Sequence, residues 1–246
     1  MLFRLVLSAS LLLTTATVDA ETDRQSRTFA LPPARTISVE ITIGTVRIEG
    51  SSRADAAVEI VRHAPSAEDL TRMPVEIQED DVEVRIRAQQ ADGGTNPALR
   101  TDVTLRVPHG AKVRPVRVVE GRLEVSALHG EITADIRRGP IEAVDVQGVV
   151  RLESGIGDVI AERARLTPDG LLRLRAFNGN VRLALVEQPA DARVMALALN
   201  GTITSDIPLR TKDTWGPRWA EATLGKGEPV ISIDVITGRI EIKVPR

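Results

Sequence analysis

The residue types that could carry catalysis or bind a metal are scarce in this chain of 246 residues. There is no cysteine, which excludes a thiol nucleophile, a disulfide framework and a zinc–thiolate site. The three histidines are His63, His109 and His129, and none has the H-x-x-x-H or H-E-x-x-H spacing of a metal motif. His109 and His129 each precede a glycine, which is typical of exposed turn residues. We therefore expect no catalytic residue, no metal site and no cofactor.

Carboxylates are concentrated at Glu79, Asp80 and Asp81. Cleavage of a glycosidic bond needs two carboxyl groups at a set separation, and enzymes built on parallel β-helices place such groups on one face. Neighbours along a strand point to opposite faces, and this cluster lies between two apolar runs, so we interpret it as a solvated turn. A carbohydrate-active enzyme on a β-helix stays open as an alternative function.

Other motifs with known chemistry do not fit the sequence. The segment Ser154-Gly155-Ile156-Gly157 lacks the G-x-S-x-G frame of a nucleophile elbow and is followed by no phosphate-binding helix. Calcium-binding nonapeptide repeats have Asp at a fixed position of each repeat, whereas the repeats of this chain have no regular Asp. With 32 basic and 34 acidic residues the net charge is −2, so no basic field indicates a nucleic-acid partner.

One short segment combines aromatic and basic residues in a chain with only 2% aromatics. Trp215-Gly216-Pro217-Arg218-Trp219 holds both tryptophans, with Arg210 and Lys212 nearby. Tryptophan and arginine are enriched at binding hot spots, which makes Trp215, Arg218 and Trp219 the candidate partner contact. The competing interpretation is that the rings cap one end of a repeat stack.

The first twenty residues have the pattern of an export signal. Arg4 supplies the positive start, residues 5–13 are apolar, and Val18-Asp19-Ala20 has the small residues of a cleavage site. The apolar run is much shorter than the roughly 20 residues of a membrane anchor. We predict cleavage after Ala20 and an exported, periplasmic or extracellular protein without a transmembrane segment in the mature chain.

Alternation of apolar and polar residues predicts strands in the part that follows. The runs at 37–49, 57–62, 75–87 and 101–107 have this period of two. Ser66 and Asp69 resemble a capping box before a short helix at 67–73, and 91–97 is rich in turn residues.

An internal repeat of nine residues begins at Gly121. The pattern is a glycine followed by alternating residues of a short strand, and it recurs at Gly121, Gly130, Gly139, Gly148 and Gly157, with looser copies at Gly44, Gly179, Gly201 and Gly238. Glycine supplies the backbone conformation of a tight turn, and the second and fourth residues after it would point into a core. One nine-residue arm cannot bury its apolar face alone, so arms must stack, two to each coil of 18 residues.

Three parts of the chain resemble a known family: the run from Val103 to Val113, the glycine-led strands as far as Val159, and the segment from Gly225 to Ile242. It is the bacterial extracytoplasmic family labelled "putative adhesin", a β-strand-repeat domain of unknown function. The resemblance covers most of the chain from about Ser38, and its motifs are structural. It implies a β-solenoid-like stack and an envelope location, with no catalytic signature to transfer.

The sequence thus predicts an all-β protein: a signal peptide at 1–20, an N-terminal β-strand region at 21–107 and a solenoid-like repeat region at 108–246, which could be continuous with 28–107. We expect a non-enzymatic envelope module that binds or scaffolds an envelope protein or a glycan. A second alternative is a sensor component of an envelope-stress pathway. A dense row of carboxylates on one face would favour the enzyme, and a ladder of mixed charges would favour the module.

Overall fold

A computed structural model of the protein describes residues 21–212 and 216–245. The predicted signal peptide at 1–20 lies outside the described residues. The described chain forms seventeen strands, one helical turn and one short 3-10 segment, Ala91–Gly93. The strands are β1 Glu21–Ala30, β2 Thr36–Ser51, β3 Asp55–Ala64, β4 Glu76–Glu79, β5 Glu83–Ala88, β6 Arg100–Pro108, β7 Lys112–Ser126, β8 Glu131–Arg138, β9 Ile141–Val144, β10 Val149–Ile156, β11 Val159–Ala164, β12 Leu171–Asn178, β13 Val181–Leu185, β14 Ala192–Ser205, β15 Arg210–Lys212, β16 Arg218–Leu224 and β17 Val230–Lys243. The all-β prediction is confirmed.

Eight parallel strands form a closed ring. Wall A consists of β8, β10 and β12 with the first halves of β2, β7, β14 and β17 alongside them, and wall B consists of β9, β11 and β13 with the second halves of those four strands. The first half of β7 pairs with wall A and its second half with wall B. Strand β17 divides its two halves in the same way at the other end of the walls. The hydrogen-bonded ring therefore runs in the order β7, β8, β10, β12, β17, β13, β11, β9 and back to β7.

The prediction of a β-solenoid-like stack is wrong, because the eight strands form a closed parallel barrel. Successive coils do lie 18 residues apart where the repeat is regular, as in the pairing of Val150 with Ile132. The two walls nevertheless do not end separately, because β7 and β17 continue through a bend from one wall to the other. Gly121 and Gly238 stand at these bends with φ of 147° and 151°, a backbone conformation that favours glycine.

A column of glycines lies along this bend. Pairing places Gly44 beside Gly121 and Gly201 beside Gly238, and a Cβ added to Gly157 would lie 2.2 Å from the carbonyl oxygen of Gly139. At 44, 121, 201 and 238 the strand passes through the glycine without a break. The tight turn predicted at the repeat glycine Gly201 is thus a bend within β14.

The core consists of the inward positions of the strands. Ile132, Ile141, Val150 and Val159 are at most 1% exposed, as the alternation predicts. One cluster of buried side chains extends from Phe29 to Ile242. Strand β2 pairs with β7 along both of its halves, and β14 does so with β17, so the same inward pattern continues beyond the ring.

The N-terminal part differs from the sequence-based expectation in three places. The alternating run at 75–87 is a hairpin of β4 and β5 rather than one strand, in agreement with the turn interpreted at its carboxylates. Strand β1, which no pattern indicated, pairs antiparallel with β3. The predicted helix is α1, Ala67–Leu70, shorter than expected, with the Ser66 hydroxyl accepting from the Asp69 amide at 3.2 Å.

No helix within 21–212 and 216–245 has the length and apolar character needed to cross a membrane.

Candidate functional site

The outer surface of wall A carries a ladder of charges of mixed sign. Strand pairing aligns the outward residues in one row across six strands: Glu40, Arg117, Asp135, Glu153, Arg175 and Asp234. Arg117 binds Glu40 at 2.8 Å, and Arg175 lies 3.5 Å from both Glu153 and Asp234. Wall B has similar pairs, such as Arg122 with Glu142 at 3.0 Å. The expected discriminating feature is therefore present in the form that favours a binding or scaffolding module.

Next to this ladder, wall A exposes a row of large apolar side chains. The pairs Ala176–Val235 and Ala198–Val235 are buried, so the residues that follow them, Phe177, Ile236 and Leu199, point outward on β12, β17 and β14. They are 37%, 37% and 41% exposed. These three residues are called the apolar row below.

The predicted contact residue Trp219 lies beside the apolar row. It is opposite Leu197, which stands two residues before Leu199 on the same face of β14. The neighbour Ala220 is fully buried, so the half-buried indole of Trp219 lies on the outer surface. Its Nε1 donates to Glu221 Oε2 at 3.4 Å. Arg218 is exposed at the start of β16 and is opposite Ala198.

Together these side chains make an apolar surface with a charged border. A shallow depression of about 260 Å³ is lined by the apolar row, Leu197, Arg175 and Asp234. Trp215 lies outside the described residues. Arg210 lies on β15, where it is opposite Glu221. The structure thus brings Arg218 and Trp219 to one edge of an exposed apolar surface, a type of patch that marks interaction sites in soluble proteins.

The carboxylate cluster at the β4–β5 turn has a structural role. Glu79 forms an ion pair at 2.9 Å with Arg35, which is 7% exposed. The backbone amides of Glu83 and Val82 donate to Asp80 Oδ1 at 2.8 Å each, and these bonds hold the pKa of Asp80 below its ordinary value. Asp80 is therefore ionised at neutral pH and cannot act there as a general acid.

The histidines of the two turns form a stack. The rings of His109 and His129 have centroids 4.9 Å apart and an interplanar angle of 13°. Both are half-buried rather than exposed, which differs from the prediction because successive coils place one ring on the other. His129 Nε2 is 3.4 Å from Asp145. Within the described residues no three His, Asp or Glu side chains are grouped in a way that could hold a metal.

The apolar row was not predicted from the sequence, although its three residues share one position in the repeat. Phe177, Leu199 and Ile236 each stand two residues before a repeat glycine, at Gly179, Gly201 and Gly238. The same position before Gly139 and Gly157 is Arg137 and Gly155. Leu128 and Val146 occupy the same position before Gly130 and Gly148, but both are buried, so the position in the repeat does not by itself identify the apolar row.

No family model matches this chain, and no curated protein sequence matches it. Among solved structures, this chain is similar to a putative cell adhesion protein from Clostridium sporogenes. The two are 14% identical, the match covers 92% of this chain and 100% of that chain, and the TM-score is 0.41.

Two further solved structures are similar over 91% of this chain and 97% of their own chains. One is a putative adhesin from Bacteroides fragilis (12% identity, TM-score 0.34), and the other is a putative lipid binding protein from Parabacteroides distasonis (8% identity, TM-score 0.24). TM-scores this low carry no information about ligand or activity. The names of the first two agree with the family that the sequence resembles.

Proposed function

We propose that this protein is exported and acts as a non-enzymatic binding or scaffolding module of the cell envelope. The observation that carries the proposal is the exposure of Phe177, Ile236 and Leu199 on a wall whose neighbouring outward positions are charged and paired. Exposed apolar side chains with a polar rim are typical of interaction surfaces. The repeat region at 108–246 supplies this surface, and the N-terminal region at 21–107 extends the sheet.

The partner contact in this proposal consists of Trp215, Arg218 and Trp219 together with the apolar row. The pairing of β16 with β14 holds Trp219 at the edge of the apolar row, so backbone hydrogen bonds set the position of this residue. An aromatic anchor beside aliphatic side chains suits either an apolar patch of an envelope protein or the face of a sugar ring.

The test uses tagged mature protein with envelope extract and a glycan panel. Ile236→Thr removes the centre of the apolar row but keeps a β-branched residue in the strand. The matched control is Ile160→Thr, since Ile160 is an outward isoleucine of wall B. We expect loss of the captured partner with Ile236→Thr only, while both variants melt near the wild-type temperature. Equal capture by both variants, or equal loss, would contradict the proposal.

A further inference from the structure

Two arginines face each other on the outer surface of wall A. Arg151 of β10 is in register with Arg173 of β12. The residues on either side of each arginine are buried: Leu152 and Leu174, for example, are only 2% and 0% exposed. Both guanidinium groups must therefore point to solvent. Like charges directly opposite on neighbouring strands are unfavourable, because the side chains are close and repel each other.

Carboxylates only partly balance these charges. Arg151 lies 3.5 Å from Glu131, and the same carboxylate is bound more closely by Arg114 at 3.0 Å. Arg173 is exposed and forms no ion pair with any residue in the described part of the chain. By contrast, Arg175 on the same strand has two carboxylate partners. The Arg151–Arg173 pair is therefore left with an excess of positive charge.

The pair lies in a shallow groove of about 300 Å³ that is positive overall. Four arginines and two carboxylates line it, which gives +2 in a chain whose net charge is −2: Arg117, Arg151, Arg173 and Arg175 against Asp135 and Glu153. Arg175 lies beside Glu153, and Arg117 is in register with Asp135. Glu153 is thus matched by Arg175, whereas Arg117 forms its ion pair with Glu40, so Asp135 lies beside an arginine that is bound elsewhere.

Hydroxyl groups flank the arginine pair on both sides. Thr133 of β8 is in register with Arg151, and Ser232 of β17 is in register with Arg173. The row therefore reads hydroxyl, guanidinium, guanidinium, hydroxyl across four strands about 4.8 Å apart. A guanidinium group binds a carboxylate through two parallel hydrogen bonds, and a hydroxyl can both donate to and accept from a sugar hydroxyl.

We propose that Arg151 and Arg173 bind the carboxylate of an acidic sugar residue, with Thr133 and Ser232 contacting its hydroxyl groups. The ligand class is a uronic-acid polysaccharide, because the groove is open at the surface and allows a polymer to extend along the row. This site adjoins the depression at the apolar row, since Arg175 lines both, but Arg151 and Arg173 line only the groove, so the test does not depend on Trp219 or Ile236.

The probe is an oligogalacturonate, titrated calorimetrically into the mature protein at low ionic strength. The test variant is Arg151→Gln with Arg173→Gln, and the matched control is Arg122→Gln with Arg182→Gln, which removes the same charge from wall B. We expect wild type and control to bind, and the test variant to bind at least about tenfold more weakly. Equal weakening in both variants, or no binding to wild type, would overturn the proposal.

Further arms identify the recognised group. A neutral oligogalactose should not bind, and inorganic phosphate and sulfate should compete only weakly. If the neutral oligomer binds equally, or if phosphate or sulfate binds as tightly as the oligogalacturonate, the assignment to an acidic sugar is overturned. Arg173→Gln alone repeats the test if the double variant melts at a lower temperature, because this single change breaks no ion pair among the described residues.

Discussion

A methyl group on Gly139 would lie 1.6 Å from the carbonyl oxygen of Gly121. Backbone from two successive coils occupies this space, so neither partner can yield by changing a rotamer. Gly139 also has a φ of 139°, which an L side chain rarely adopts. The repeat glycines at the bend are therefore required by contact between coils as well as by the turn of each coil.

Gly139→Ala should reduce the free energy of unfolding by about 3 kcal/mol or more, since strain at φ adds to the clash of the new carbon with backbone. Urea unfolding of the purified protein measures the change. Gly110→Ala is the control, because no atom lies within 4 Å of an added carbon there, and its effect should be below about 0.5 kcal/mol. Similar effects at both positions would contradict the close contact between coils.

Ile141→Ala should destabilise the protein by about 2–5 kcal/mol, because Ile141 is fully buried between the coils. Glu142→Ala, at the next residue, should change stability by less than about 1 kcal/mol because its side chain is 43% exposed. Thermal melts of the two variants compare the inward and outward positions of β9 directly. Equal destabilisation would refute the assignment of the two faces.

Trp219→Ala should cost only about 1 kcal/mol of stability, as expected for a cross-strand pair on an outer surface. A tryptophan inside a capped core would cost about 3–5 kcal/mol. Thermal melting of this variant therefore separates the capping interpretation from the contact interpretation. A melting shift of many degrees would favour capping and remove Trp219 from the proposed contact.

Asp23→Asn should destabilise the protein at neutral pH and have little effect in strong acid. Hydrogen bonding from Arg62, at 2.7 Å, holds the pKa of Asp23 below its ordinary value of 3.8. A lowered pKa in the folded state means that the carboxylate stabilises the fold above pH 3.8, and that this contribution is lost as the pH falls through the folded-state pKa. Melting temperatures of wild type and variant should therefore converge as the pH falls through the folded-state pKa of Asp23.

Asp81→Asn serves as the control for this pH series, since it removes one charge from an exposed turn. Its melting temperature should follow that of the wild type across the whole series. If the Asp23→Asn difference persists unchanged in strong acid, the stabilisation does not come from the ionised carboxylate.

Local patterns predicted the strands and the core because both depend on neighbouring residues. The inward positions of Ile132 and Val150 follow from a period of two after a glycine, and a regular spacing of 18 residues aligns the coils. The sequence could not show that β17 pairs with β12 and β13, because Leu171 and Val230 are 59 residues apart and no spacing connects them. Closure of the ring depends on that long-range pairing.

The candidate site was predicted in part for the same reason. Trp219 and Arg218 stood out by composition, but the apolar row joins side chains from three strands whose order in the sheet is not their order in sequence. Arg151 and Arg173 were equally hidden, because each alone is an ordinary outward arginine. Only the register between β10 and β12 places them side by side.

The place of β17 in the sheet has a consequence for how the chain folds. This final strand lies between β14 and the pair β12 and β13, although β14 precedes it in sequence. Until β17 docks, the edges of β12 and β13 have no partner on that side. Strand β14 carries the same glycine-led pattern, from Gly201 to Ile203, that β17 has from Gly238 to Ile240. Docking of β14 against β12 and β13 would therefore compete with native closure, which needs β17 to insert between them, and pairing over such long sequence separations slows folding.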